Sequence, residues 1–312
     1  MNISVCITVF NEEKNISKLI ISLLRQTKKP SEIVIVDGGS NDRTVDLIRH
    51  FQKKEKRIKL LIRKCSRAEG RNLAVELSRN EIIAMTDAGC IARRDWLEKI
   101  FKPFANEEID VTAGFYDMTV ENSMQKAMSV FLGILPNQFD VNFLPSTRSI
   151  AFRKRVWEKV GGFPENLKDT AEDTVFNYKL MKEDVKIARV KDAGVEWKMP
   201  DTLKEFLKKI YLYAKGDAKS GLWIYPLKGI MSHNLKVLLK IIMYSFGVIL
   251  LLVGIYKQFI LIFLLCCVYI YSYRAYYKVY KEFRSVRVGL WGVLLQYVSD
   301  IVAVTGFIRG SF

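Results

Sequence analysis

The chain has 312 residues, half of them apolar, and its 49 lysines and arginines against 33 aspartates and glutamates give a net charge of +16. That apolar content excludes a disordered chain, and the length excludes a small disulfide-stapled scaffold. Five cysteines without a CxxC pair, and two histidines (His50 and His233) with no His or Cys near them in sequence, exclude a zinc-finger site and a histidine-based triad; the cysteine usage fits a reducing compartment.

In chain order, apolar β-rich runs alternate with helical patterns. Residues 3–10 read as a strand, 13–26 as a helix, 32–36 as a strand, 42–51 as a helix, 58–62 as a strand, 68–78 as a helix, 82–86 as a strand and 95–104 as a helix. Short strands that are apolar on both faces need helices on both sides, so the pattern predicts a doubly wound, mainly parallel α/β sheet flanked by helices. The first strand follows directly on the start of the sequence, without a basic n-region or a cleavage site, so no signal peptide is expected. Past about residue 105 the alternation fades into mixed segments: Thr147 to Phe152, a helix from Lys154, and an acidic stretch from Asp169 to Asp173. Residues 206–221 (FLKKIYLYAKGDAKSG) put Phe206, Ile210 and Tyr213 on one helical face, with Lys204, Lys208, Lys209, Lys215 and Lys219 as its polar complement. Such a helix can lie on anionic lipid or pack on the domain.

From Val237 to Tyr256 only Lys240 is charged, from Phe259 to Tyr273 nothing is, and a third apolar run, Val288 to Ile308, contains Gln296 and Asp300. Membrane helices are predicted at about 237–256, 259–273 and 288–308. The basic linker Arg274 to Arg287 falls on the cytoplasmic side by the positive-inside rule, and the large N-terminal part with it, while the third run would carry the C-terminus across. The expected organisation is an α/β domain over 1–220, a juxtamembrane linker over 221–236 and a membrane region over 237–312, in a multi-pass protein of the cell membrane. Residues 201–312 hold +10 of the net charge and residues 1–200 hold +6. The excess therefore sits in and beside the apolar tail, and with no nucleic-acid module in the sequence no nucleic-acid partner is expected.

Ligands of doubly wound sheets bind beyond the carboxyl ends of the strands. Thr8, Asn11 and Glu12 follow the first strand, Asp37, Gly38, Gly39 and Ser40 the second, and Asp87, Ala88 and Gly89 the fourth. Asp37 alone is accounted for by an Asx turn ahead of a well-capped helix. Two carboxylates on one sheet edge, however, point to a cation and a polyanion between them. Arg71, in EGRNLA, is the candidate basic partner. A Rossmann dehydrogenase is set aside, because FNEEKN follows the first strand where a glycine-rich phosphate turn belongs.

TVFNEE (Thr8 to Glu13), VDGGSNDRT (Val36 to Thr44), EGRN, TDAG and AEDT (Ala171 to Thr174) together resemble the family 2 glycosyltransferases, in the family's order from about Ile3 to about Lys219 and followed by a membrane tail of the kind many members carry. The resemblance implies a GT-A fold. It implies a nucleotide-sugar pocket lined by Thr8, Asn11, Glu12, Asp37, Gly39, Ser40, Arg71, Asn72, Asp87, Ala88 and Gly89, with Asp87 holding Mg²⁺ or Mn²⁺ on the diphosphate. It makes Asp173 the catalytic base of an inverting transfer, with Glu172 beside it to orient it or raise its pKa; the alternative is that both acids merely cap a helix over 173–182. The sequence departs from the family in having Asp37-Gly38 for the frequent paired aspartates and Asp87-Ala88-Gly89 for a DxD motif. It also lacks QxxRW, so single-sugar transfer is expected. The expected partners are a nucleotide-diphosphate sugar donor, a lipid-linked (polyprenyl) or glycan acceptor, and membrane lipids. The rival expectation is a catalytically silent membrane scaffold that binds a nucleotide sugar or a partner enzyme.

Overall fold

The computed structural model describes residues 2–167, 170–223 and 231–312. Asp169 and residues 224–230 of the expected linker lie outside the described residues. The chain divides into two compact units, one of residues 1–119 and 136–198, the other of residues 120–135 and 199–312.

The first unit is built on eight strands: β1 (Ile3–Val9), β2 (Glu32–Asp37), β3 (Ile58–Ile62), β4 (Ile82–Met85), β5 (Cys90–Ala92), β6 (Val111–Thr119), β7 (Ile150–Arg153) and β8 (Ile187–Lys198). They form one sheet in the order β3-β2-β1-β4-β7-β6-β8-β5. β3, β2, β1 and β4 run parallel, as the sequence predicts. β7 pairs antiparallel with both β4 and β6, and β5 antiparallel with β8, so the sheet as a whole is mixed. β1 and β2 are interior strands, buried along almost their full length, which is why they are apolar on both faces. The helices on this sheet are α1 (Ile16–Leu24), α2 (Thr44–Lys54), α3 (Arg67–Leu77), α4 (Trp96–Phe101), α6 (Lys154–Lys159) and α7 (Glu172–Lys182); α5 (Ser123–Leu132) belongs to the second unit. α1 buries Ile16, Leu19, Ile20 and Leu23, an i, i+3, i+4, i+7 stripe. α3 begins with a capping box: the Ser66 hydroxyl accepts from Glu69 N at 3.3 Å, and Ser66 N donates to the Glu69 carboxylate at 2.6 Å.

The second unit adds α8 (Leu203–Ser220), α9 (His233–Gly254), α10 (Gln258–Phe283) and α11 (Val286–Ser311). α9, α10 and α11 are each long and apolar enough to cross a membrane. The stretch expected as a basic linker is mostly helix, because α10 continues to Phe283 and leaves only Arg284 and Ser285 before α11. The amphipathic α8, counted from sequence with residues 1–220, packs along α11 in this unit. At one end Phe206 joins Val288 and Leu295, and at the other Ala214 joins Ala303 and Phe307. The backbones nearly touch there, since a Cβ on Gly306 would stand 2.5 Å from Tyr211 O and one on Gly310 2.3 Å from Lys215 O.

α11 also meets α9 and α10, in the half of that hairpin away from its turn. Gly289 and Gly292 face Tyr276, Val279 and Ala275 of α10, while Ala303 and Phe307 cluster with Val237 and Ile241 of α9. Between these contacts Asp300 is fully buried. It pairs with Lys240 at 2.5 Å and accepts hydrogen bonds from Tyr244 at 2.9 Å, Gln296 at 2.9 Å and Tyr271. Toward the turn the hairpin exposes large apolar side chains, among them Phe246, Leu252, Phe259 and Leu265.

Candidate active site

The carboxyl ends of β1, β2 and β4 and the starts of α3 and α7 meet at one edge of the first unit. The loops after β1 and β2 are laced together. Asn11 N donates to Ser40 Oγ at 2.8 Å, Asn41 N to the Asn11 side chain at 3.0 Å, and Glu12 N to Thr44 Oγ1 at 2.8 Å. Asp37 closes its own turn, accepting from Gly39 N at 3.0 Å, Ser40 N at 2.9 Å and Ser40 Oγ at 2.6 Å, and Gly39 takes the positive φ of 95° that the turn requires. α2 starts at Thr44, two residues after the expected position, because the Asp42 carboxylate accepts from Thr44 N at 3.0 Å ahead of it.

Gly70 lets α3 press on β1, since a Cβ there would stand 2.5 Å from the Thr8 methyl. Among the described residues, the buried hydroxyls of Thr8 and Thr86 have no hydrogen-bond partner. They lie at the carboxyl ends of the adjacent strands β1 and β4, and an unpaired buried hydroxyl is a group that a ligand can satisfy.

Arg71, one turn into α3 and 4% exposed, is the hub of the site. Its guanidinium binds Glu172 through one nitrogen, and through the other Asp87 at 2.9 Å and the Thr147 hydroxyl at 2.9 Å. Arg67, one turn earlier, is 3.6 Å from Glu172. Glu172 opens α7, and the residue before it, Ala171, has a φ of 74°, a conformation that alanine rarely adopts. Asn177 fixes the same helix by donating to Pro145 O at 2.6 Å, just ahead of Thr147.

The two aspartates of the site respond in opposite directions. Burial opposes ionisation of Asp87, but Arg71, Arg148 and Arg67 outweigh it and hold the carboxyl below its usual value. Burial, and then the charge of Glu172, push Asp173 above its usual value against the pull of Arg71 and Arg148. Such a divided pair suits one permanently charged group and one proton acceptor. Asp87 remains one-third exposed, and a Cβ on the nearby Gly89 would meet nothing within 4 Å.

Among the predicted residues, Arg71, Asp87, Glu172 and Asp173 thus form one electrostatic cluster. Asn72 is engaged elsewhere: its amide donates to Phe163 O at 2.9 Å and Glu165 at 2.8 Å, and accepts from Phe163 N and the Trp157 indole. Thr147, Arg148 and Arg67 were not anticipated as site residues. Arg148 lies 3.8 Å over the Trp197 ring, its charge acting on both aspartates. The one sequence signal for the first two is a polar pair just ahead of the apolar strand β7.

No group of three or more His, Cys, Asp or Glu side chains that could hold a metal occurs among the described residues. The donor set here is the single partly exposed carboxylate of Asp87. That fits a cation held mainly by ligand phosphate oxygens, as Mg²⁺ often is.

Comparison with known proteins bears on the same segments. Residues 4–159 match the family described as "Glycosyl transferase family 2", and residues 88–277 the related "Glycosyl transferase family group 2". The glycosyltransferase AglE of Haloferax volcanii is 28% identical over 172 residues, covering 53% of this chain and 57% of its own. The uncharacterised glycosyltransferase MJ1057 of Methanocaldococcus jannaschii is 35% identical over 125 residues, covering 38% and 43%. The chain spans about half the length of the curated relatives it matches. In fold it is similar to the mannosyltransferase PcManGT of Pyrobaculum calidifontis, solved with GDP-Man and Mn²⁺, with a TM-score of 0.59 over 95% of this chain and 86% of that one at 17% identity. S. aureus TarS 1-349, solved with UDP-GlcNAc, gives 0.51 over 71% and 68% at 22% identity. The fold is therefore of the GT-A type. With half of its residues matched by the first of these families, and TVFNEE, VDGGSNDRT, EGRN and TDAG in order along that match, the chain belongs to glycosyl transferase family 2.

Proposed function

We propose that the protein is a membrane-anchored glycosyltransferase that moves a single sugar, with inversion, from a nucleoside-diphosphate donor to a lipid-linked (polyprenyl) or glycan acceptor. The observation that carries this reading is the Arg71 hub, which draws Asp87 and Glu172 to one guanidinium beside a carboxyl, Asp173, whose proton affinity is raised.

Asp173 takes the proton of the acceptor hydroxyl as that oxygen bonds to the anomeric carbon, and the bond from the same carbon to the diphosphate breaks, with the electron pair leaving on the diphosphate. A base with a raised pKa is better matched to this task at neutral pH than an ordinary aspartate. Glu172 supports that rise and is itself held by Arg71 and Arg67. Thr8, Asn11, Glu12, Asp37, Gly39 and Ser40 form the nucleotide side of the pocket, their loops already fixed to one another. Asp87, Ala88 and Gly89 form the diphosphate side. Asp87 would hold Mg²⁺ or Mn²⁺, which when bound supplies charge compensation for the departing diphosphate.

The anchor is the α9–α10 hairpin. α11, although apolar enough to span, is proposed to lie in the membrane interface with α8 and not as a third crossing. α8 follows it closely and carries Lys204, Lys208, Lys209, Lys215 and Lys219, each costing about 2.5–3.5 kcal/mol at a bilayer centre. Lys236, Lys240, Arg274, Lys278, Lys281 and Arg284 gather at the end of the hairpin that meets α11, against Lys257 at its tip. By the positive-inside rule that end is cytoplasmic.

Binding of UDP-, GDP- and dTDP-sugars to the full chain, with and without Mg²⁺ or Mn²⁺, followed by turnover with the preferred donor, tests the reading. The expected result is tight binding of one nucleotide, weakened by Asp87→Ala, and turnover with inverted product anomer that Asp173→Asn abolishes while binding survives. Turnover unchanged in Asp173→Asn, or no nucleotide binding by folded protein, would overturn it.

A further inference from the structure

Between α9 and α10, at the end crossed by α11, lies a cavity of about 510 Å³ that plays no part in the catalytic reading. Lys240, Arg274 and Lys278 line it together with the Tyr271 ring and the apolar Leu239 and Met243. Lys240 is paired with Asp300, which is fully buried and already accepts from Tyr244, Tyr271 and Gln296. The cavity thus holds three cations against one committed carboxylate. Among the described residues, Lys278 has the Phe131 ring beneath its ammonium, at 4.3 Å, and Arg274 makes no hydrogen bond or ion pair.

We infer that this cavity binds the phosphate head group of an anionic membrane lipid, with Arg274 and Lys278 as its direct partners, Lys240 oriented toward it by Asp300, and the acyl chain lying along Leu239 and Met243. The charge surplus asks for an anion. The apolar wall, and a setting between two helices whose outer faces are apolar, ask for one that carries a hydrocarbon chain. A phosphomonoester suits the surplus of two positive charges better than a phosphodiester. The inference rests on the membrane reading of the hairpin and is independent of the transferase reading.

The test is native mass spectrometry of the full chain in neutral detergent, titrated with phosphatidic acid or with phosphatidylcholine of the same chains, and in a separate arm with inorganic phosphate. Reconstitution into phosphatidylcholine nanodiscs reports on membrane insertion itself, so failure there removes the anchor reading, whereas insertion without head-group preference removes only the site. Phosphatidic acid is expected to bind in preference to phosphatidylcholine. Arg274→Gln and Lys278→Ala should each weaken it about 5-fold, and together about 25-fold, while Lys257→Ala at the hairpin tip leaves it unchanged. Equal retention of the two lipids, equal weakening by Lys257→Ala, or inorganic phosphate binding as tightly as the lipid would overturn the assignment.

Discussion

Replacing Arg71 by methionine keeps most of the side-chain volume and removes the charge on which three acceptors converge. Glu172, 3% exposed, would be left with Arg67 as its nearest cation, at 3.6 Å and half exposed, and Asp87 would lose a 2.9 Å ion pair. Taking one partner from a buried pair typically costs about 3–5 kcal/mol, because the remaining charge stays desolvated. Asp87 is one-third exposed and recovers part of its hydration, so the loss falls mainly on Glu172. At about 2–4 °C per kcal/mol for a unit of this size, Arg71→Met should lower the melting temperature by roughly 6–20 °C. Thermal unfolding of the detergent-solubilised chain, followed by intrinsic fluorescence with Trp96 and Trp157 as reporters in the first unit, reads this directly. The decisive comparison is Arg71→Met with Glu172→Gln, which removes both buried charges. It should be less destabilised than the sum of the single variants by at least about 2 kcal/mol. Strict additivity, or a loss below about 1 kcal/mol in Arg71→Met alone, would refute the account of Arg71 as the charge that holds the site together.

Asp173→Asn should lower the rate of transfer about 10²–10⁴-fold and at the same time raise the melting temperature at pH 7. Its carboxyl titrates above the ordinary value in the folded chain, so ionisation costs stability from the unfolded pKa upward; the gain from asparagine should vanish at pH values below the ordinary aspartate pKa, and a variant less stable than wild type at pH 7 would contradict this. In the wild type, the acid limb of kcat/KM should lie above the ordinary aspartate range. Thr8→Val removes a buried hydroxyl without a partner among the described residues, so stability should hold or rise by up to about 1 kcal/mol while donor affinity falls about 5-fold by calorimetry. Lower stability with unchanged affinity would make that hydroxyl structural.

The parallel half of the sheet was legible because its strands are apolar on both faces and its turns carry Asp, Gly and Ser where the backbone needs them. β3 has the bounds read from sequence, and β1 differs by one residue. β6 and β8 were not legible: β8 contains Arg189, Lys191, Asp192 and Glu196 and is half-exposed along much of its length, so no apolar run marks it. Pairing between these strands shifts register between Ala113 and Phe115, where a Cβ on Gly114 would stand 2.0 Å from the Ser149 hydroxyl. The acids of the site could be picked out by motif order, but the bond that joins them could not, since Arg71 and Glu172 are 101 residues apart. Asn72 shows the converse: its neighbour in sequence serves the site, while its own amide holds Phe163. In the tail, composition marks α11 as long and apolar enough to span, as predicted, but it does not reveal that the lysine-bearing α8 packs along it.

That packing sets a length. From the Asp300 contacts at Lys240 and Tyr271, about 14 residues of each hairpin arm remain before the turn, or about 20 Å at about 1.5 Å per residue. A hydrocarbon core is about 30 Å thick, and an amphipathic helix settles about 5–10 Å into its boundary. With the hairpin inserted as proposed, Lys257 reaches the opposite head groups only when α8 and α11 are themselves partly sunk. The depth at which those two helices ride, and with them the Lys240, Arg274 and Lys278 cavity, then follows bilayer thickness: a thinner membrane lifts them toward water and a thicker one draws them in.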